Sequence, residues 1–153
     1  MRNNGFSLIE LLVVIFVIGI LVGVVLPNFV SSRERARDAR RKHDLAEVKT
    51  ALRLYYNDNQ SYPSTVNFGT SWSPYMQSVP EDPLEGRNYS YCVSADGEQF
   101  LLFALLENQA DSELDESATR CSVADGTWGG GSCSLADCFT ADNRNLCYYV
   151  CGD

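Results

Sequence analysis

The sequence predicts an α+β chain: one helix of about 50 residues, a short β hairpin, and a loop-rich tail held by cysteines. Three observations carry this. Phe6 to Leu26 is almost unbroken apolar sequence, with only Ser7 and Glu10 polar. Residues 28–56 contain neither Gly nor Pro and set opposite charges at helical spacing. After Pro63 the chain is punctuated by Pro, Gly and turn formers around short apolar runs, and all six cysteines follow residue 90.

As a helix, Phe6–Leu26 would span about 32 Å, enough for the hydrocarbon core of a bilayer. A cleaved secretory signal is the rival reading. Its apolar core would run about 7–15 residues and end at a small-x-small site. Here the run is longer and ends in Leu26-Pro27-Asn28-Phe29, which offers no such site. A retained transmembrane helix is expected, with Gly19 and Gly23 as flexible points and Pro27 kinking it rather than ending it. Beyond it, Asp38 with Lys42, Arg40 with Asp44 and Glu34 with Arg37 form candidate helix pairs, each worth a few tenths of a kcal/mol. From Leu45 a narrow apolar face emerges: Leu45, Val48, Leu52 and Tyr55, spaced three, four, three, with Ala51 beside them. The last turns therefore pack on something. Residues 31–44 show only Ala36 and Ala39 as apolar positions, so they are expected in solvent or against other subunits through charge. Asn57 to Pro63 is a strong helix stop.

Residues 64–88 read as loop, with prolines at 74, 80 and 83. Tyr89–Val93 reads as a strand, Ala95-Asp96-Gly97 as a turn and Gln99–Leu106 as a second strand. Leu102, Ala104 and Leu106 fall on one side of it and Leu101, Phe103 and Leu105 on the other. Both faces are apolar, so the strand is expected to be central. Glu107–Ala118 reads as an acidic loop, Cys121–Asp142 as a Gly- and Cys-rich loop, and Leu146–Val150 as a last strand. There are no internal repeats.

Charge divides unevenly. Residues 1–60 carry nine Lys/Arg and six Asp/Glu, a net of +3; residues 61–153 carry three and fourteen, a net of −11, together the −8 of the chain. So acidic a second half argues against direct nucleic-acid binding, which needs a basic footprint. Cys92, Cys121, Cys133, Cys138, Cys147 and Cys151, an even number behind an apolar helix, point to disulfides on an oxidising side of a membrane. That places the N-terminus inside and the C-terminus outside. The positive-inside rule points the other way: Arg2 stands before the helix, whereas Arg33, Arg35, Arg37, Arg40, Arg41 and Lys42 follow it.

Gly5-Phe6-Ser7-Leu8-Ile9-Glu10, a short polar leader before it and a long apolar run with Pro27 after it, resemble the prepilin motif of type IV pilins and pseudopilins. The resemblance implies cleavage after Gly5 by a prepilin peptidase on the cytoplasmic face and N-methylation of Phe6. It also implies N-in insertion, in agreement with the cysteines. Glu10 gains a reason. A carboxylate at bilayer depth costs about 2.5–3.5 kcal/mol on insertion scales, and in the family this Glu pairs with the amine of a neighbouring subunit as the filament grows. Such a pair acts as a register device more than as glue. Gly19, Gly23 and Pro27 suit a helix that partly unwinds in the filament. The resemblance continues through LAEVKTALRLYYNDNQSYP and through Pro80-Glu81-Asp82-Pro83-Leu84 followed by Tyr89-Ser90-Tyr91. It covers about residues 1–106. It implies the pilin fold, in which the outer half of the helix packs on a small antiparallel sheet. The basic run 33–42 departs from the pattern.

Other chemistry is weaker. The acidic stretch with Asp111, Glu113, Asp115, Glu116 and, further on, Asp125 offers hard oxygen ligands for calcium, and major pseudopilins often carry calcium after the second strand. It is not an EF-hand, and a solvated acidic loop is the plainer reading. Zinc is disfavoured: the cysteines include no Cys-x2-Cys pair, and His43 lies on the helix. Six cysteines allow fifteen pairings. If 147–151 is extended, the Cα atoms of Cys147 and Cys151 lie roughly 13 Å apart, too far to pair; they would reach other segments, such as Cys92 and Cys121. Gly129-Gly130-Gly131 lacks the Lys-Ser/Thr of a phosphate loop. No nucleophile has a base nearby, and His43 reads as a solvated helix residue, so no enzyme is expected. Trp72, Trp128, Tyr148 and Tyr149 are core or an adhesive surface.

The expected organisation is a leader, 1–5; a transmembrane and filament-core helix, 6–27; an amphipathic helix, 28–57; and an extracytoplasmic β-rich head with a disulfide-rich tail, 58–153. The expected function is a structural subunit of a pilus- or pseudopilus-like filament. It would be held in the inner membrane before assembly, with itself, the prepilin peptidase and an assembly platform as partners. No cofactor is required, and calcium is the one candidate. The alternative is a monomeric membrane-anchored, disulfide-rich binding domain.

Overall fold

The structure, a computed structural model, describes residues 7–124, 127–128, 133, 135, 138 and 146–152, without the side chains of 24–29, 124 and 127. Helix α1 runs Leu8–Asn59 without interruption, through Pro27. It stops where the turn formers begin. Gln60 takes the left-handed conformation (φ 57°), and its N–H closes on the Tyr56 carbonyl at 2.7 Å. Tyr62 then donates its N–H to the Gly97 carbonyl at 2.8 Å, tying the helix exit to the hairpin turn. Gly97 has φ 74°, and a Cβ there would lie 3.3 Å from that of Ser61, so the turn favours glycine.

Strands β1 (Ser90–Val93), β2 (Phe100–Leu105) and β5 (Cys147–Gly152) form one antiparallel sheet in the order β1-β2-β5. β2 is central, as its two apolar faces require. Phe100, Leu102 and Ala104 pack with Leu45, Val48 and Leu52 of α1, together with Tyr62, Val79, Tyr89 and Val150. Leu101 and Phe103 on the opposite face pack with Cys121, Val123, Trp128, Leu135, Cys138 and Tyr149. The sheet is therefore a middle layer between α1 and the cysteine-rich tail.

Two segments differ from expectation. The acidic stretch contains a helix, α2 (Glu113–Arg120), with Leu114 and Ser117 turned inward. Its acidic residues sit in the first turn, where they favour helix. The Cys-rich tail opens with a two-stranded ribbon, β3 (Val123–Ala124) with β4 (Thr127–Trp128).

All six cysteines are paired: Cys92–Cys133, Cys121–Cys151 and Cys138–Cys147, with Cα separations of 6.0, 5.6 and 5.1 Å. Cys147 and Cys151 do lie on one strand and reach other segments. Cys151 takes Cys121, whereas Cys92 goes to Cys133 instead of to the last strand. Trp128 and Tyr149 are core.

The expected membrane-crossing helix is not met within the described residues: none of their helices is long and apolar enough to cross a membrane. The apolar run with described side chains covers Leu8–Gly23. At 1.5 Å per residue that is about 24 Å, short of the roughly 30 Å required.

Candidate functional site

Two regions stand out. The first is the bare N-terminal half of α1. Its large apolar side chains are open on every side of the helix, from Leu8 (81% exposed) to Val22 (47%). Leu12, Ile15, Phe16, Gly19 and Ile20 line an open apolar hollow. A Cβ at Gly19 or Gly23 would meet nothing within 4 Å. The two glycines lie one turn apart on one face, where a neighbouring backbone can approach closely. At the head of this segment the Ser7 N–H donates to Glu10 Oε2 at 2.9 Å, holding the carboxylate at the first turn of α1. Gly5 and Phe6 lie outside the described residues, as does the side chain of Pro27.

The second region is the junction between α1 and the head. Along α1 the side chains that turn toward the head recur at Glu34, Arg37, Asp38, Arg41, Asp44, Leu45, Val48 and Leu52. The stripe is continuous at helical spacing. Its chemistry changes halfway from charged to apolar. Arg41 is fully buried. Its guanidinium forks onto Asp82, Nε to Oδ2 at 2.7 Å and Nη2 to Oδ1 at 2.8 Å, the bidentate geometry suited to Arg. Nη1 reaches Asp38 at 2.6 Å and Glu107 at 2.7 Å. Asp38 in turn accepts the N–H groups of Glu107 and Asn108, at 3.0 and 2.8 Å. Asp82 also accepts the Leu84 N–H at 2.9 Å. Arg37 binds both oxygens of Glu107.

Burial by itself would lower the Arg41 pKa, but the bonds to Asp82, Glu107 and Asp38 outweigh it and raise the pKa. The hydrogen bond from Arg37 holds the Glu107 carboxyl down at about 2 against its burial, with Arg41 adding to the effect. Nearby, Tyr89 donates its hydroxyl to Asp44 at 2.7 Å. Burial first, then this bond, pushes the Tyr89 pKa up.

Part of the basic run thus faces its own head. Lys42 continues the pattern: its ammonium meets both Asp111 oxygens at 2.8 Å, lies 3.4 Å from Glu113, and stands over the Tyr148 ring at 5.2 Å. Arg37, Arg41 and Lys42 are therefore matched by carboxylates of the head. Two predicted helix pairs are replaced, because Asp38 takes Arg41 rather than Lys42, and Arg37 takes Glu107. Arg40–Asp44 forms at 3.9 Å. Ala36 and Ala39, the apolar positions singled out in the sequence, are exposed. The signal that would have revealed the junction was the split between a +3 first segment and a −11 remainder, with basic residues spaced three and four apart from Arg37.

Of the predicted calcium ligands, Asp111 and Glu113 meet at Lys42, Asp115 and Glu116 are exposed on α2, and Asp125 lies outside the described residues. Among the described residues, one group brings three potential ligand atoms within 4.8 Å: His43, Asp44 and Glu47. There Asp44 already serves Tyr89 and Arg40.

Comparison with known proteins agrees with this architecture. Residues 1–26 match the prokaryotic N-terminal methylation motif, and residues 28–119 match the family described as type II secretion system (T2SS), protein G. The type II secretion system core protein G of Vibrio cholerae is 30% identical over 141 residues, covering 83% of this chain and 92% of the relative. The Pseudomonas aeruginosa protein of the same name is 30% identical over 132 residues, covering 76% and 92%. The type IV major pilin protein PilA of Myxococcus xanthus is 32% identical over 94 residues, covering 61% of this chain and 38% of that pilin. No solved structure matches the chain. With the motif, the helix-on-sheet architecture and these relatives in agreement, the chain belongs to the type II secretion system protein G family.

Proposed function

We infer that this chain is a structural subunit of a pseudopilus- or type IV pilus-like filament, polymerising as its apolar α1 segment packs against the same segment of neighbouring copies. One observation carries the reading. Thirteen large apolar side chains between Leu8 and Val22 are each roughly half exposed or more, in front of a folded head. At about 1.5–3 kcal/mol for full burial of each, covering half of that surface is worth on the order of 10–20 kcal/mol. A soluble monomer does not leave such a patch open.

Before assembly, the inner membrane covers this surface, with the N-terminus inside. A prepilin peptidase removes residues 1–5 and Phe6 is N-methylated. The new amine then gives Glu10 a cationic partner on an adjacent subunit, and Gly19, Gly23 and Pro27 let the helix loosen as it packs. The assembly platform of the secretion or pilus machine is the further partner. The family is structural rather than enzymatic.

The intact mass and N-terminal sequence of the chain from its native membrane, without reductant, test this. The expected product begins at N-methyl-Phe6 and is about 6 Da light, as three disulfides require. A chain that still begins at Met1 where the peptidase is active would leave only a membrane-anchored domain.

Calcium is a secondary proposal. Asp111 and Glu113 already aim three carboxylate oxygens at one cation, the Lys42 ammonium, and calcium would have to displace it. A melting temperature that rises in millimolar calcium supports this; no shift ends it.

A further inference from the structure

The side of α1 turned away from the head has a composition of its own. Ala36 and Ala39 are exposed there side by side, with Arg35 on one rim and Arg40 on the other, and His43, Ala46 and Glu47 follow in the next turns. Arg35 has no ion-pair partner among the described residues, and Arg40 has only the 3.9 Å approach to Asp44. The outer side of α2 is the electrostatic complement. Leu114 and Ser117 point inward, leaving Asp115 and Glu116 exposed. Neither carboxylate has an ion-pair partner among the described residues, whereas the other acids near this side of the head, Asp111 and Glu113, are engaged by Lys42.

Copies of a chain with net charge −8 repel one another. Contact between them needs local complementarity, and among the described residues most exposed arginines lie on α1 (Arg33, Arg35, Arg40 and Arg53), with Arg120 on α2. A contact joining two different patches of identical subunits propagates as a filament unless it closes into a ring.

We propose that the face of α1 rimmed by Arg35 and Arg40 seats the outer side of α2 of a second copy, through Asp115 and Glu116. The alanines let α2 come close enough for the short acidic side chains to reach both arginines. Rim charges of this kind select partner and register. The inference rests on the filament reading above and gives the exposed part of the basic run its role.

The test is a charge exchange in cells that carry the native assembly machinery. Arg35→Glu/Arg40→Glu should lower filament yield on the order of tenfold or more, since it sets like charges against each other. Cleaved subunit should still reach the membrane, and the full chain in detergent should still melt cooperatively, with only a small downward shift from the lost Arg40–Asp44 approach. Asp115→Arg/Glu116→Arg should do the same, and the fourfold exchange should restore filaments. Arg35→Glu alone, which removes no ion pair inside the subunit, should show a smaller loss in the same direction.

Normal yield from either double variant overturns the proposal. So does a loss that the fourfold exchange leaves uncorrected, which would assign the arginines to lipid headgroups or the assembly platform. Absence of filaments from the unaltered chain would instead overturn the filament reading itself.

Discussion

Arg41→Met is expected to destabilise the folded chain by about 3–5 kcal/mol, the cost of removing one partner from a buried ion pair. The melting temperature of the full chain in detergent should fall by roughly 10 °C or more. The reason is unequal compensation. Without Arg41, Asp38 keeps the N–H groups of Glu107 and Asn108, and Glu107 keeps Arg37. Asp82, whose side chain is 2% exposed, keeps only the Leu84 N–H. Adding Asp82→Asn should therefore recover part of the loss. If it recovers none, Asp82 is not the group left stranded. Arg41→Lys should also destabilise, because an ammonium cannot fork onto Asp82 while reaching Asp38 and Glu107.

The pH dependence follows from Glu107. Its folded pKa, about 2, lies below its ordinary value of 4.5. The unfolded chain therefore takes up the proton first as pH falls. The stability this carboxylate contributes is complete above about pH 4.5 and is lost as pH falls through the folded value. The bond from Arg37 is the main cause, so the gap between wild type and Arg37→Met should be widest near neutrality and narrow in acid. A gap that widened in acid would contradict the assignment.

Much of the fold was legible because it rests on periodicity. Leu45, Val48 and Leu52 mark a helix face by spacing alone. The doubly apolar β2 announces a central strand, since each of its faces needs its own cover. The helix stop at 57–63 follows from turn chemistry. The junction was not legible in the same way. Apolar spacing cannot show that Asp38 and Arg41 are buried, because charged residues are taken to face water unless a partner is known. Asp82 and Glu107 come to Arg41 from more than 40 residues away, so the pairing exists only in the folded head. Helix α2 was missed for a related reason: its acidic first turn resembles a solvated loop until Leu114 and Ser117 are seen to point inward. The disulfide partners likewise depend on which strands lie side by side, and spacing excluded only Cys147 with Cys151.

Glu10→Ala is expected to leave cleavage and membrane insertion intact while removing most filaments. The single carboxylate among the exposed apolar residues of α1 costs free energy wherever it is buried without a cation. Before assembly it stays near the first turn, satisfied by the Ser7 N–H. In the filament proposed above, the mature amine of an adjacent subunit would offset that cost, and only in correct register. Removing the carboxylate makes α1 more apolar, so simple hydrophobic association predicts more polymer. Register control predicts less.

The decisive measurement is electron microscopy of filaments recovered from cells that carry the assembly machinery, wild type beside Glu10→Ala. The N-terminus of each protein would be sequenced from the same cells. Abundant wild-type filaments with α1 at their centre, and few from a correctly cleaved Glu10→Ala, are what a subunit assembling through α1 predicts. Equal filament numbers, or wild-type filaments with α1 outside the core, would contradict it.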